Sequence, residues 1–434
     1  MANRRGFVDF LNKSSSTYHA VSEVEQQLIE AGFIKLKENS TWILENNRYY
    51  YVVRNQSTLI AFKIPEIANV KSVNIIASHS DSPCLKVKPV ADIKDDKYNR
   101  INVEVYGGVL LSTWLDKPLG IAGRVTVKEN GVIVSRLLDF KEDVAIIPNV
   151  AIHQNREANN GYKWDTKVDL FPIMGLEPTE DYFNNLLSKK LLVNKKDILA
   201  HDLYFYNRQK AILWGENQEF VSGGKLDNLE SIYTSLKAFL LGYSTNSLNV
   251  LAIFDHEEIG SMTKQGMASN FLSDVIERVF ASFYYVNSDI KAILANSFLL
   301  SADNGHGVHP NHPEMYDSTN QAYLNKGVVI KTSAAQRYVS DAISIAIAKE
   351  LCHRADVPYQ LFANINDSKG GTTQAAISTI NLPINMIDVG VAQLAMHSSY
   401  ETAGSYDIDY MINFMLEFYN STIIVDENRY FISK

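Results

Sequence analysis

The sequence predicts an α/β protein, in which a central mixed sheet flanked by helices is interrupted by a β-rich insertion. Apolar runs such as VNIIAS (73–78) and NVLAIF (249–254) lack polar alternation, as expected of strands that are buried on both faces. These runs alternate with helical patterns, which is the order found in layered α/β sheets. Between Leu85 and Phe220, by contrast, short alternating runs indicate a separate β-rich segment.

The N-terminal part combines one helix with several strands. From Thr17 to Ala31 the apolar residues recur at helical spacing, with Ser16 or Thr17 as a candidate N-cap and Gly32 as a candidate C′ residue. β-Branched and aromatic residues then predict four strands, at TWIL (41–44), YYYVV (49–53), TLIAFKI (58–64) and VNIIAS.

The middle of the chain forms the predicted insertion. Asn130-Gly131 separates two β-like runs and is a strong hairpin signal. Short helices are predicted near 181–190 and 195–201. We therefore assign residues 1–88 and 224–434 to one discontinuous α/β domain, and residues 89–223 to a β-rich insertion domain.

After Gly224 strands and helices alternate again. Helical patterns cover 227–241, 272–285, 340–355 and 407–420. The intervening strand-like runs are NVLAIF, SFLLSAD, GVVIKT, LFAN and INMIDVGV.

Composition excludes several classes of function. The 434 residues carry a formal charge of −8 and contain no basic run, so nucleic acid is not an expected partner. Cys84 and Cys352 are too few for a disulfide framework, which fits a reducing, cytoplasmic compartment. The chain contains no apolar stretch of about 18 residues, so a membrane-spanning helix is not expected.

Metal-ligand types of residue follow or lie close behind the apolar runs. In an open α/β sheet, residues beyond the carboxyl ends of different strands converge on one edge. Two imidazoles and several carboxylates at such an edge suit borderline-soft divalent metals. The candidates are His79, Asp227, Glu257, Glu258, Asp303 and His397, with Asp81 placed to orient the His79 ring.

Each candidate also has an ordinary alternative when it is taken alone. Asp227 could be a helix N-cap, Asp303 a turn residue and His397 a buried core histidine. The adjacent pair Glu257-Glu258 is the most specific signal, because two neighbouring carboxylates repel one another unless a cation lies between them. A helical HExxH zinc site is excluded, since position 260 is glycine.

Seven segments in a fixed order carry a family resemblance. They are HSDSP (79–83), GGKLDNL (223–229), FDHEEIGS (254–261), SADNGHGVHPN (301–311), IKTSAAQRY (330–338), GGTT (370–373) and QLAMHS (393–398). Across essentially its whole length, the chain resembles the aspartyl aminopeptidases, which are dinuclear zinc exopeptidases. The resemblance implies a metallopeptidase α/β domain that is interrupted by a β-rich domain, and a homo-oligomer of twelve subunits.

The resemblance also implies roles for individual residues. One metal ion would be held by His79, Asp227 and Asp303, and the other by Asp227, Glu258 and His397, so that Asp227 would bridge two zinc ions, with manganese or cobalt as alternatives. Glu257 would be the catalytic base and Asp81 would orient His79. The residues that would contact substrate are His153, reaching a neighbouring subunit's site, and His306, Lys331 and Tyr338.

These roles lead to an expected reaction, the removal of an N-terminal Asp or Glu from peptides by a water molecule that Glu257 activates. One alternative is a neutral, Leu-type aminopeptidase on the same scaffold. Another is a non-catalytic metal-binding assembly protein, although a structural metal site needs no general base. A dinuclear phosphoesterase would need a cluster of cationic phosphate contacts, which the sequence does not show.

Overall fold

The computed structural model describes residues 1–368 and 370–434, and it confirms the predicted α/β class. Its helices are α1 (Ala2–Lys13), α2 (Thr17–Glu30), α3 (Tyr182–Leu191), α4 (Leu226–Leu241), α5 (Phe271–Ala281), α6 (Asn287–Ala295), α7 (Ala342–Arg354), α8 (Gln374–Ser378) and α9 (Asp407–Tyr419).

In the described part of the chain, twenty-two strands accompany these helices. They are β1 (Ile34–Leu36), β2 (Arg48–Arg54), β3 (Thr58–Ile64), β4 (Ser72–His79), β5 (Cys84–Ile93), β6 (Tyr98–Tyr106), β7 (Leu119–Glu129), β8 (Val132–Asp139), β9 (Ile173–Leu176), β10 (Ile198–Asn207), β11 (Ile212–Trp214), β12 (Phe220–Gly223), β13 (Ser247–Phe254), β14 (Phe298–Ala302), β15 (Gly305–His306), β16 (Val328–Thr332), β17 (Tyr359–Ala363), β18 (Asn385–Gly390), β19 (Ala392–Leu394), β20 (Glu401–Gly404), β21 (Thr422–Asp426) and β22 (Arg429–Ser433).

A nine-stranded mixed sheet forms the centre of the fold, in the order β1-β2-β3-β13-β4-β14-β18-β16-β17. Strand β4 is parallel to both β13 and β14, and β14 is parallel to β18. The register places Phe254, the last residue of β13, opposite His79, the last residue of β4. The carboxyl ends of these strands therefore lie at the same edge of the sheet.

Side chains on the two faces of this sheet enter two different hydrophobic clusters. Ile76 and Leu251 point into one cluster, which α4 and α9 cover. Ile75 and Val250 point into the other, which α5 and α6 cover. The alternation follows from the pleat of a strand, and burial on both faces explains why these runs contain so few polar residues.

Strands β5 to β10 form a separate six-stranded sheet, in the order β8-β7-β10-β5-β6-β9. Asn130 and Gly131 both have positive φ in the tight turn of the β7–β8 hairpin, as a two-residue hairpin turn requires. This sheet packs with α3 around its own hydrophobic cluster. The domain division at residues 88 and 224 stays a prediction.

The remaining strands form two small sheets. The five-stranded sheet has the order β11-β12-β20-β19-β15, and β21 pairs with β22. No helix within residues 1–368 and 370–434 is both long enough and apolar enough to cross a membrane.

One local prediction is wrong, and another holds only in part. Residues 41–44 are not a strand: Trp42 and Leu44 are buried, Ile43 is exposed, and the Trp42 indole N–H donates to the Lys37 carbonyl. The helix predicted at 195–201 is limited to a single 3-10 turn at Lys195–Asp197, because the chain joins β10 at Ile198 and pairs there with β7. Helices α1, α6 and α8 were not predicted.

Candidate active site

The candidate metal ligands meet at the carboxyl edge of the nine-stranded sheet. His79 ends β4, Glu257 and Glu258 lie in the turn after β13, and Asp303 follows β14. Asp227 lies in the first turn of α4, and His397 lies between β19 and β20 in a left-handed conformation (φ 69°). The parallel order of β13, β4 and β14 brings three of these segments together, and the start of α4 and the β19–β20 connection add Asp227 and His397.

The two carboxylate oxygens of Asp227 face two different imidazoles. Oδ1 lies 3.4 Å from His79 Nε2, and Oδ2 lies 3.6 Å from His397 Nε2. A second carboxylate accompanies each imidazole: Asp303 Oδ1 is 3.6 Å from His79 Nε2, and Glu258 Oε2 is 3.4 Å from His397 Nε2. Asp227 therefore lies between two imidazole–carboxylate pairs.

These separations fit ligands around a metal better than hydrogen bonds. Ligand atoms about 2.0–2.1 Å from a tetrahedral zinc ion are about 3.3 Å from each other. Good nitrogen–oxygen hydrogen bonds are about 2.9 Å long. Asp227 Oδ1 is buried and has no hydrogen-bond partner among the residues that the structure describes, which is unfavourable unless a cation binds it. Ligand atoms of His79, Asp227 and Glu258 lie within 4.8 Å of one another.

The carboxylate of Asp81 connects His79 to the turn after β13. Its Oδ1 atom is 3.4 Å from His79 Nδ1 and accepts the backbone N–H of Glu257 at 3.1 Å. Its Oδ2 atom accepts the backbone N–H of Glu258 at 3.1 Å and the hydroxyl of Tyr106 at 2.8 Å. Because Asp81 faces Nδ1 of the His79 ring, the other ring nitrogen, Nε2, faces Asp227 and Asp303.

Burial and mutual repulsion disfavour ionisation of the two glutamates. Burial raises the pKa of Glu257 to about 8; the charge of His79 opposes this shift, and the charges of Asp303 and Asp81 add to it. Burial and the charge of Asp227 raise the pKa of Glu258 well above its ordinary value. Divalent cations would reverse these effects, because they are the largest local charges in such a site.

Comparison with known proteins assigns the chain to a family. The family model described as "Aminopeptidase I zinc metalloprotease (M18)" matches residues 10–419. The chain belongs to the M18 family. "Probable M18 family aminopeptidase 2" of Clostridium acetobutylicum is 41% identical over 421 residues, which cover 95% of this chain and 97% of the relative. The chain is thus an aminopeptidase of the zinc metalloprotease class.

Solved structures share the fold over nearly the whole length. A protein in the "Cryo-EM structure of the Ape4 and Nbr1 complex" is 33% identical, with a TM-score of 0.92 over 96% of this chain and 85% of that chain. The "Structure of S. cerevesiae mApe1 dodecamer" is 28% identical, with a TM-score of 0.83 over 96% of each chain.

The next feature of this M18 aminopeptidase is the set of three residues predicted to contact substrate, Lys331, Tyr338 and His306. Lys331 lies in β16 and is only 1% exposed. Its ammonium lies 5.3 Å from the centre of the Tyr338 ring. His306 is half-buried, and burial together with the Lys331 charge lowers the pKa of its imidazole.

The Lys331 ammonium already has three acceptors. It donates to Asp303 O at 2.8 Å, to Asp303 Oδ2 at 3.1 Å and to Asn304 O at 3.3 Å. Burial lowers the pKa of Lys331, but the charges of Asp303 and Asp388 outweigh it and hold that pKa above its ordinary value. The lysine is therefore cationic and saturated with hydrogen bonds.

His153 is not brought to the site of its own chain. It is exposed in the segment between β8 and β9. Within the described residues, no hydrogen bond or ion pair connects it to the candidate metal ligands. Its predicted contact with a neighbouring subunit stays a prediction.

Two residues that support the site, Glu401 and Tyr106, were not predicted from the sequence. Glu401 is buried; its Oε1 atom accepts the backbone N–H of His397 at 2.7 Å, and its Oε2 atom accepts that of Asp227 at 3.2 Å. One carboxylate thus holds the backbone of two ligand-bearing segments. The only sequence signal for Glu401 is a carboxylate four residues after a candidate histidine, and Tyr106 ends an ordinary β-rich run.

Proposed function

We propose that this chain is a dinuclear zinc aminopeptidase that removes acidic N-terminal residues from peptides. The observation that carries the proposal is the position of Asp227, whose two oxygens face two separate imidazole–carboxylate pairs. His79, Asp227 and Asp303 would hold one ion, and Asp227, Glu258 and His397 the other. Manganese or cobalt could take the place of zinc with the same ligands.

The bound ions would supply an acidified water and polarise the scissile carbonyl. Glu257, which is not one of the six ligand contacts, would accept the proton of the attacking water. It would then return that proton to the nitrogen of the leaving amine, as a general base followed by a general acid. Asp81 would position this residue through the backbone N–H of Glu257, which it accepts at 3.1 Å.

The proposed preference for acidic residues rests on Lys331. A buried ammonium forms a strong, charge-assisted hydrogen bond with a carboxylate. Lys331 is cationic and buried, and Tyr338 and His306 lie close to it. A substrate Asp or Glu side chain would replace Asp303 Oδ2 as one of its three acceptors.

A neutral, Leu-type aminopeptidase is the second candidate function. The observation that favours it is the saturation of Lys331, whose three N–H groups already bind Asp303 and Asn304. If those bonds persist with substrate bound, no donor is left for a substrate carboxylate and the pocket would accept apolar side chains.

Assembly of twelve subunits is also part of the proposal. The solved S. cerevesiae relative is described as a dodecamer, and it shares this fold. In such an assembly the exposed His153 would reach the site of a neighbouring subunit and bind the developing negative charge of the substrate carbonyl.

Matched chromogenic amides of Asp, Glu and Leu test the proposal. We expect chelator-sensitive release that zinc restores and that favours Asp or Glu. Chelator-sensitive release that favours Leu would retain the dinuclear mechanism and establish the neutral candidate. Full activity after exhaustive chelation would contradict the metal-dependent mechanism.

A further inference from the structure

A groove on the six-stranded sheet begins at the candidate active site. We propose that it binds the part of a peptide substrate downstream of the scissile bond as an added β-strand on β6, with a substrate carboxylate between Lys88 and Lys167. This inference deepens the proposed aminopeptidase function and rests on it. The groove has a volume of about 570 Å³.

Gly107 and Gly108 connect the groove to the candidate metal ligands. Both residues line the groove, and they follow directly after β6. A Cβ atom added to Gly107 would lie 3.1 Å from Glu258 Cβ, and one added to Gly108 would lie 3.2 Å from His397 Nδ1. The Gly108 carbonyl also accepts a hydrogen bond of 2.9 Å from His397 Nδ1.

The groove starts on the side of the site away from Lys331. Glu258 and His397 are the ligands that border Gly107 and Gly108, whereas Lys331 is bonded to Asp303. A peptide with its N-terminal side chain at Lys331 would therefore direct its leaving portion toward Gly107. The peptide segments before and after the scissile bond must leave the reacting centre in different directions, and Lys331 and Gly107 lie in two such directions.

Beyond Ile101, the edge of β6 beside the groove has no strand partner among the described residues. On its other edge, β6 pairs with β5 from Val103 to Tyr106. On the groove edge, β9 covers β6 only as far as Arg100, and Ile101 N–H donates to the Pro172 carbonyl. Beyond Ile101, no described residue forms a backbone hydrogen bond with this edge of β6. Extended peptides bind such edges by adding a strand.

Two lysines give the groove a positive charge. Lys88 and Lys167 line it together with one carboxylate, that of Glu104. On the same strand as Lys88, Lys86 is paired with Asp202 at 3.1 Å. Lys88 and Lys167, in contrast, form no ion pair within the described part of the chain. Their free charges can attract a substrate carboxylate, either of a side chain or of the C-terminus.

The length of the free edge sets the reach of the interaction. Strand residues rise about 3.3 Å each, so the edge from Gly107 back to Asn102 extends about 17 Å from the active site. About five substrate residues could lie along it in an extended conformation. Dipeptides would use little of this edge, and longer peptides would use all of it.

A peptide series with one fixed N-terminal residue tests the proposal. The peptides continue with alanines to a total of two to five residues and end in a free acid or an amide, and those of four and five residues carry Glu or Gln at position four. We expect kcat/KM to rise about tenfold from two to five residues. Replacing Gln with Glu, or the C-terminal amide with a free acid, should raise kcat/KM by about a further fivefold. The two comparisons distinguish a side-chain carboxylate from the C-terminal carboxylate.

Charge variants locate the effect. In Lys88→Gln/Lys167→Gln the advantage of the carboxylate should disappear, and in Lys163→Gln, an exposed lysine of the same segment outside the groove, it should remain. N-Methylation of successive substrate amides should reduce kcat/KM at alternate positions, since only every second N–H of an added strand points to its partner.

Several outcomes would overturn the proposal. The first is an equal kcat/KM for peptides of two and five residues. The second is a ratio of kcat/KM between the Glu and Gln peptides that does not change in the double lysine variant. The third is an equal loss of kcat/KM for N-methylation at every position. If the double lysine variant forms a smaller oligomer and loses kcat/KM equally on all substrates, the groove is a contact between subunits instead. Calorimetry of the same peptides with Glu257→Gln measures groove binding without turnover, so failure of the groove is distinguishable from failure of the proposed reaction.

Discussion

The hydroxyl of Tyr106 donates a hydrogen bond of 2.8 Å to the carboxylate of Asp81. Tyr106 is the last residue of β6 in the six-stranded sheet, whereas Asp81 follows β4 of the nine-stranded sheet. Because Asp81 also accepts the backbone N–H groups of Glu257 and Glu258, this bond connects the insertion sheet to the turn that carries the proposed base.

Tyr106→Phe is expected to lower activity without removing the metal. The substitution deletes one hydrogen bond to a buried carboxylate, which is worth about 1.5–3 kcal/mol. We expect kcat/KM to fall about tenfold, while zinc content measured by mass spectrometry stays near the wild-type value. Tyr162→Phe is the matched control, since its hydroxyl contacts Asp169 within the insertion. Wild-type kinetics in Tyr106→Phe would contradict the positioning role of this bond.

Glu257→Gln and Glu258→Gln should separate the base from a ligand. Glutamine at 257 cannot accept the proton, so we expect kcat to fall about 10²–10⁴-fold with near-normal zinc content. Glutamine at 258 removes a charged ligand, so zinc affinity should fall together with activity. Dialysis against graded free zinc, followed by metal analysis, measures both. Loss of zinc from Glu257→Gln alone would reverse the two assignments.

The sequence predicted much of this site because its ligands follow buried strands. His79, Glu258 and Asp303 come after apolar runs, and parallel strands bring their carboxyl ends to one edge. Glu401 could not be predicted in this way, because its role depends on two backbone N–H groups that only the folded chain places beside it.

Strand pairing also overrides local propensity. The segment 195–201 has helical composition, but from Ile198 onward it joins β10 between β7 and β5. The strand gains its backbone hydrogen bonds from partners that are distant in the sequence. Residues 41–44 show the converse, since Trp42 packs near Phe62 without a strand partner.

Lys331→Met should distinguish the two substrate preferences. If Lys331 binds a substrate carboxylate, kcat/KM for the Asp amide should fall about 30–100-fold, and that for the Leu amide should change only a few-fold. Zinc content serves as the control, because Lys331 also contacts Asp303. Equal losses on both amides at full zinc content would indicate that the lysine supports Asp303 rather than the substrate.

Outside the active site, the carboxyl group of Asp407 makes the free energy of unfolding depend on pH. It is fully buried at the start of α9, where its oxygens accept the backbone N–H groups of Asn325 at 2.6 Å and Gly327 at 2.8 Å. Burial raises its pKa to about 7, although these two N–H groups and Lys326 oppose the shift. In the unfolded chain the pKa of an aspartate is about 3.9.

The sign of the effect follows from which state holds the proton. Below about pH 4 the carboxyl group is protonated in both states, and it does not oppose folding. Between about pH 4 and 7 the folded state still binds the proton that the unfolded state has lost, so the free energy of unfolding decreases as pH rises. Above the folded-state pKa of about 7 the loss is complete.

Asp407→Asn removes this titration and should change the pH profile. Between pH 5 and 8 we expect the variant to gain about 1 kcal/mol or more relative to wild type in urea unfolding at fixed zinc. Because wild type and variant have the same metal ligands, titration of those ligands cancels when their free energies of unfolding are subtracted. Asp274→Asn, at an exposed position of α5, is the control and should leave the wild-type profile unchanged. A constant difference between wild type and Asp407→Asn across this range would show that the buried carboxyl group does not titrate there.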